Sequence, residues 1–150
     1  MYLKEILTEK GAHVVTIGTE VMVGAIVSTL KAHRIGAVVV LDGMGKVAGI
    51  VTETDVIHAL SDHGSAALTL RAKDIARDPI IVADPQISVQ DAMRRMTQQR
   101  LRHVVLMEQG RLTGIVSIGD VVKSRLEDAE LENRVLRDVA SARIAATPVH

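Results

Sequence analysis

No cysteine occurs anywhere in the 150-residue chain. Disulfides, thiolate nucleophiles and thiolate-bound metals are therefore excluded together. Aromatic residues are almost as scarce, with Tyr2 standing alone and no Phe or Trp. Nothing is available to stack the bases of a single-stranded nucleic acid. The core must come from Val, Ile, Leu, Ala and Met, which suffices because apolar burial supplies the driving force. Eighteen basic and eighteen acidic residues cancel, so no global field draws polyanions or basic partners. Apolar runs stay far below membrane-spanning length. The opening "MYLKEILTEKG" lacks the apolar stretch of a signal peptide. A soluble cytoplasmic protein is expected, free of nucleic-acid and membrane partners.

What the chain does contain is a repeat. Residues 33–60, "HRIGAVVVLDGMGKVAGIVTETDVIHAL", align with residues 99–126, "QRLRHVVLMEQGRLTGIVSIGDVVKSRL". Arg34 falls on Arg100 and Gly49 on Gly114, and the one-residue slack lies where "DGMG" is matched by "EQG". A hairpin tip tolerates such a change best. Each unit begins with a short apolar run, "HVVTI" at 13–17 or "PIIVA" at 79–83. A helix-period segment follows, carrying Val23, Ile26, Val27 and Leu30 in one copy and Val89, Ala92, Met93 and Met96 in the other. Two β-branched runs joined by a tight turn come next, and a second helix then opens at [ST]-x-x-Asp.

These patterns predict an α+β fold of two β-α-β-β-α repeats related by a pseudo-twofold axis, followed by a C-terminal helix. The expected divisions are residues 1–62, a linker at 63–72, residues 73–127, and a helical extension and tail at 128–150. Gly64 is the expected helix stop before the linker. Neither unit has enough core to be stable alone. Beyond Asp120, Leu126, Ala129, Asn133, Leu136 and Ala140 recur at alternating spacings of three and four. That stripe suits packing on its own module, a dimer contact, or a different partner. Asn133 lies in the seam, where a polar residue can fix register.

Thr52 to Asp55 and Ser117 to Asp120 match the helix-start capping box, and each hydroxyl and carboxylate also suits a ligand. Both uses are compatible. Gly43, Gly45 and Gly49 resemble a dinucleotide fingerprint, but a strand and not a helix follows them. His58 and His63 are five apart and lack further ligands, so no metal site is expected. Arg94 and Arg95 suit a solvated helix face, whereas Arg102 points toward the interior of the repeat. His103 suits either a structural role or a ligand contact. No nucleophile–His–Asp order, helical His-Glu-x-x-His or P-loop is present. Asp55 and Asp120 are better read as equivalents in two separate sites than as one acid–base pair.

The repeat architecture, with its doubled "GIVTETD" and "GIVSIGD" at 49–55 and 114–120, resembles a tandem cystathionine-β-synthase (CBS) domain pair over residues 1 to about 127. The likeness is strongest to short, stand-alone bacterial forms. It implies a regulatory, non-enzymatic module that needs no cofactor and binds an adenosine-containing ligand between its repeats. AMP, ADP, ATP, NAD(H) and S-adenosylmethionine are the implied candidates. It implies a homodimer, and a protein partner that reads the ligand-bound state. It also implies a first cleft of His13, Val14, Val15, Ile35, Gly36 and Ala37 with Ile115, Ser117 and Asp120. A second would combine Pro79, Ile80, Ile81, Leu101, Arg102 and His103 with Ile50, Thr52 and Asp55. In each, Asp would take the ribose hydroxyls and Ser or Thr would join backbone N–H groups facing phosphate. Arg102 could add a planar fork of donors. Short relatives often carry Ser-Glu-Arg-Asp where this chain has Thr52-Glu53-Thr54-Asp55. The missing Arg leaves the first cleft better equipped. The rival expectations are a structural module with empty clefts and a small nucleotide-acting enzyme.

Overall fold

A computed structural model describes residues 1–11 and 13–146. In order these form α1 (Leu3–Lys10), β1 (Thr16–Gly18), α2 (Val23–His33), β2 (Ala37–Leu41), β3 (Val47–Thr52) and α3 (Glu53–His63). A 3-10 turn over Gly64–Thr69 leads to α4 (Ala72–Ile75), β4 (Ile81–Ala83), α5 (Val89–Gln99), β5 (His103–Glu108), β6 (Arg111–Ser117) and α6 (Ile118–Ala146). The result is the expected α+β fold, with one three-stranded sheet ordered β1-β2-β3 and another ordered β4-β5-β6. In both sheets the first pair is parallel and the second antiparallel.

Local chemistry explains the repetition. The two hairpins close differently because their tips differ by one residue. Asp42 Oδ1 accepts from the N–H groups of Met44 and Lys46 in the longer tip. The shorter tip uses Gln109 and Gly110, both at positive φ, the geometry that suits the twist of a two-residue hairpin. Helix α5 opens on Ser88, whose hydroxyl accepts from the Asp91 N–H, and it buries Val89, Ala92 and Met96. Helix α2 buries the matching Val23, Ile26 and Leu30, while Val27 stays on the surface.

Packing does not respect the boundaries of the sequence repeat. Helix α1 puts Leu3, Ile6 and Leu7 into the core of the second sheet, beside Ile81, Val104, Leu106 and Met96. The α4 segment, with Ala72, Ile75 and Ala76, packs on the first sheet instead. Backbone hydrogen bonds record this exchange twice. Val89 N–H donates to Met1 O, Leu3 N–H to Ile87 O and Lys4 N–H to Pro85 O. The equivalent set runs from Val23 to Leu70, Ala72 to Val21 and Lys73 to Thr19. Each sheet is thus completed by the segment that precedes the other repeat.

A third core joins the sheets face to face through Ala37, Val39, Ile50, Val105 and Ile115. Burying such side chains is worth about 1.5–3 kcal/mol apiece, so this seam fixes how the repeats sit together. Helix α6 continues 29 residues from the end of β6. Val121 and Ser124 are buried, but every residue from Arg125 to Arg143 is exposed. The stripe expected there does not return to its own module; α6 projects from it. Among the described residues no helix is long and apolar enough to cross a membrane.

Candidate functional site

The doubled heptapeptide is built identically in both copies. Its glycine admits the crossed segment. A Cβ on Gly49 would lie 2.6 Å from Arg77 O, and one on Gly114 would overlap the Leu7 side chain. Its Ile turns into the core between the sheets, at Ile50 and Ile115. The following Val turns the other way, Val51 into one sheet's own core and Val116 into the other's. Strand alternation dictates this division. Its hydroxyl and Asp then cap the next helix reciprocally. Asp55 N–H donates to Thr52 Oγ1 and Thr52 N–H to Asp55 Oδ2. Asp120 N–H donates to Ser117 Oγ and Ser117 N–H to Asp120 Oδ2 in the same way.

From this common frame two clefts diverge. The first has a volume of about 260 Å³. Of its expected residues, His13, Val15, Ile35, Gly36, Ala37, Ile115, Ser117 and Asp120 line it together. Val14 does not, because it is packed in the core between the sheets. Lys10, His33, Arg34 and His103 complete the wall. Lys10 Nζ donates to Asp120 Oδ2 at 2.7 Å and to Ile115 O at 2.8 Å. The Asp120 side chain remains 25% exposed. Burial alone would raise its carboxyl pKa. The hydrogen bonds from Lys10 and the Ser117 backbone, with the Lys10 charge, outweigh that and hold it below the ordinary carboxylate value.

The second cleft, about 300 Å³, gathers Ile50, Thr52, Leu101, Arg102 and His103 of the expected set. Arg77, Arg100 and Thr54 join them. Asp55 is missing from its wall because its side chain is only 10% exposed. Both Asp55 oxygens are engaged: Oδ2 accepts from Thr52 N–H and Thr52 Oγ1, and Oδ1 accepts from Arg77 at 3.0 Å. Ile81 belongs to the interior of the second sheet and Ile80 to the core between the sheets. Pro79 is exposed outside the lining. The first cleft therefore presents a carboxylate with one lysine and one arginine, and the second presents three guanidinium groups with no carboxylate in the wall.

His103 lines both clefts. Burial is the main reason its pKa falls below the ordinary imidazole value. The Lys10 charge lowers it further, as Arg77 does weakly, while Asp120 and Asp55 pull it upward. The neutral imidazole is thus favoured in the wall between the two clefts.

Apart from Arg102, sequence reasoning missed the cations. Lys10 and Arg77 come from the crossed segments, which no local pattern locates in space. Arg34 and Arg100 could have been found. They align in the repeat, directly follow α2 and α5, and both hold left-handed backbone at φ 53° and 54°. Glycine is easier there, so an arginine at each of the two equivalent positions, each lining its own cleft, was a legible signal.

Comparison with known proteins agrees with this geometry. The CBS domain profile matches residues 3–62 and 72–127. A crystal structure of a CBS-domain containing protein from Agrobacterium tumefaciens is 43% identical with a TM-score of 0.79, over 83% of this chain and 92% of that one. The mitochondrial CBS domain-containing protein CBSX3 of Arabidopsis thaliana is 32% identical over 65% of this chain, which spans half of its length. A CBS domain protein from Pyrobaculum aerophilum, solved in complex with AMP, shares the fold at 24% identity and a TM-score of 0.74, covering 89% of this chain and 99% of that one.

Proposed function

Because the chain belongs to the CBS-domain family, with two copies over residues 3–62 and 72–127, we propose that it is a cytoplasmic regulatory module that binds an adenosine-containing ligand in the first cleft. The observation that carries this reading is the wall of that cleft. Val15, Ile35, Ala37 and Ile115 offer apolar faces, and Asp120 offers a carboxylate at a helix start. The flat base takes the apolar faces, and the ribose hydroxyls donate to Asp120. A volume of about 260 Å³ lies just below the usual 300–1,000 Å³ of small-molecule pockets, which favours AMP-sized ligands over dinucleotides. The complex of the Pyrobaculum relative with AMP puts that nucleotide first among candidates.

Lys10 gives the proposed mechanism. In the free protein it neutralises Asp120. A ribose engaging that carboxylate displaces the ammonium, and the ligand phosphate takes it up. Because Lys10 ends α1, whose apolar face is buried on the second sheet, the exchange bears on how α1 sits. Ligand then favours one arrangement by its differential affinity, and a partner protein reads it. No turnover is required.

A thermal-shift panel of AMP, ADP, ATP, NAD, NADH and S-adenosylmethionine tests the reading, since a ligand bound only by the folded state raises the melting temperature by mass action. AMP should raise it in the parent protein and fail to do so in Asp120→Ala. No shift with any ligand of the panel would overturn the proposal.

A further inference from the structure

We propose that the projecting part of α6 pairs with the same segment of a second copy of this chain, as a parallel, in-register two-stranded coiled coil. Helix α6 has 29 residues, about 44 Å at 1.5 Å per residue. From Arg125 through Arg143 its residues are exposed. Leu126 and Leu136 are 57% and 59% exposed. In proteins most helical stability comes from packing an amphipathic face, so this segment calls for a partner.

Its residues say which one. Val122, Leu126, Ala129, Asn133, Leu136 and Ala140 alternate by four and three, the repeat of a two-helix seam. In that frame Leu126, Asn133 and Ala140 take the first core position of each heptad, and Val122, Ala129 and Leu136 take the second. Arg125 and Glu132 then flank the seam on one side, with Lys123, Glu130 and Arg137 on the other. When two such helices run parallel and in register, each flanking residue faces one five positions later on the second copy. Arg125 meets Glu130 of the second copy, and Glu132 meets Arg137 of the second copy. Both contacts join opposite charges, and the twofold axis repeats each.

Asn133 selects the direction. In the parallel register its amide faces the same amide, and each supplies the other's donor and acceptor. The antiparallel alignment that best overlaps the stripe would set Asn133 against Ala129, leaving a buried amide unpaired at a cost. Arg143 occupies the next core position and ends the seam. Pairing would hold two modules at the same end of the coil. Their α6 helices begin at the Ser117–Asp120 cap that closes each first cleft.

The absence of native cysteine permits a direct test on the full chain. Ala129→Cys lies at a core position, so parallel copies should form a disulfide-linked dimer under mild oxidation. Adding Leu126→Glu and Leu136→Glu should lower the cross-linked fraction by at least about tenfold, because a charge in an apolar seam opposes association. Both leucines are exposed in the single chain, so the module still folds, as circular dichroism and the melting temperature report. Arg125→Glu should weaken cross-linking, and adding Glu130→Arg should restore it. Three results would each overturn the proposal. One is no cross-link at Ala129→Cys, as for a helix that meets a different protein. Another is cross-linking undiminished by the two glutamates. The third is preferential linkage between chains bearing Val122→Cys and chains bearing Ala140→Cys, the antiparallel signature.

Discussion

The two clefts differ less in their repeated motif than in the cation that reaches it. Both copies of the heptapeptide form the same reciprocal cap. In one, an arginine backed by Thr52 consumes both carboxylate oxygens and hides them. In the other, a lysine takes one oxygen, leaving the carboxylate part of an open wall. The same seven letters therefore yield an enclosed, fully paired Asp in one place and a partly exposed Asp in a cleft wall in the other. The difference originates in segments outside the motif. Helix α1 is eight residues long and presents a side-chain ammonium from its end. Helix α4 is four residues long and is followed by Arg77, whose backbone exchanges two hydrogen bonds with Ile50.

The largest effects should come from the glycines that admit these segments. Gly49→Ala forces a Cβ against the Arg77 carbonyl, which is backbone and pinned. It should cost roughly 3 kcal/mol, the upper range of overpacking. Gly114→Ala meets side-chain atoms of Leu7 and no backbone, and should cost less, about 1–2 kcal/mol. Urea denaturation with unchanged m-values would measure both. Equal costs would mean that the crossed segments are held alike.

Next in size is the contrast between the aspartates. Asp55→Ala removes a cap and strands Arg77, so it should lower apo stability by roughly 2–3 kcal/mol. Asp120→Ala should cost about 1 kcal/mol, the cap alone, because the carboxylate it loses is 25% exposed against 10% for Asp55 and its ion pair is more screened by water. Ligand binding should show the reverse order. Asp120→Ala should lose at least about tenfold in affinity, or 1.4 kcal/mol, while Asp55→Ala leaves first-cleft affinity nearly unchanged. Calorimetric titration with AMP distinguishes the cases.

Lys10→Met separates two consequences of one side chain. Removing the ammonium frees Asp120 for ribose but withdraws a phosphate partner. Adenosine should bind several-fold more tightly and AMP several-fold more weakly, a divergence of about 1 kcal/mol. Parallel movement of both ligands would contradict the exchange.

The smallest effect concerns pH. His103 has a depressed pKa in the folded protein. Below about pH 6.5 the unfolded chain takes up a proton that the folded chain resists. Stability from this group is full above that value and declines as pH falls toward the folded pKa. Asp120, also depressed, gives stability that is full above about pH 3.9 and lost as pH falls through its folded value. His103→Gln should flatten the upper slope alone, as melting temperatures from pH 7 to pH 5 would show.

Much of this was legible from residue order. The repeat, the strand–turn–strand units, the Gly64 stop and the capping boxes follow from periodicity and turn chemistry, which act between near neighbours. The inward Ile and Val of each heptapeptide follow from strand alternation. Eight of the nine residues expected at the first cleft do line it. Val14 was misplaced because alternation gives the face of a residue, not which core covers that face. Four of the second set, Pro79, Ile80, Ile81 and Asp55, were misplaced for related reasons.

The sequence by itself determined two equivalent α+β units, their caps and the register of the α6 stripe, because each rests on contacts between residues close along the chain. Only the tertiary structure decided that α1 crosses to the second sheet and α4 to the first, bringing Lys10 to Asp120 and Arg77 to Asp55. Those pairings span 110 and 22 residues. They depend on which apolar face closes which sheet, a choice that the packing of the whole core makes and no local pattern encodes.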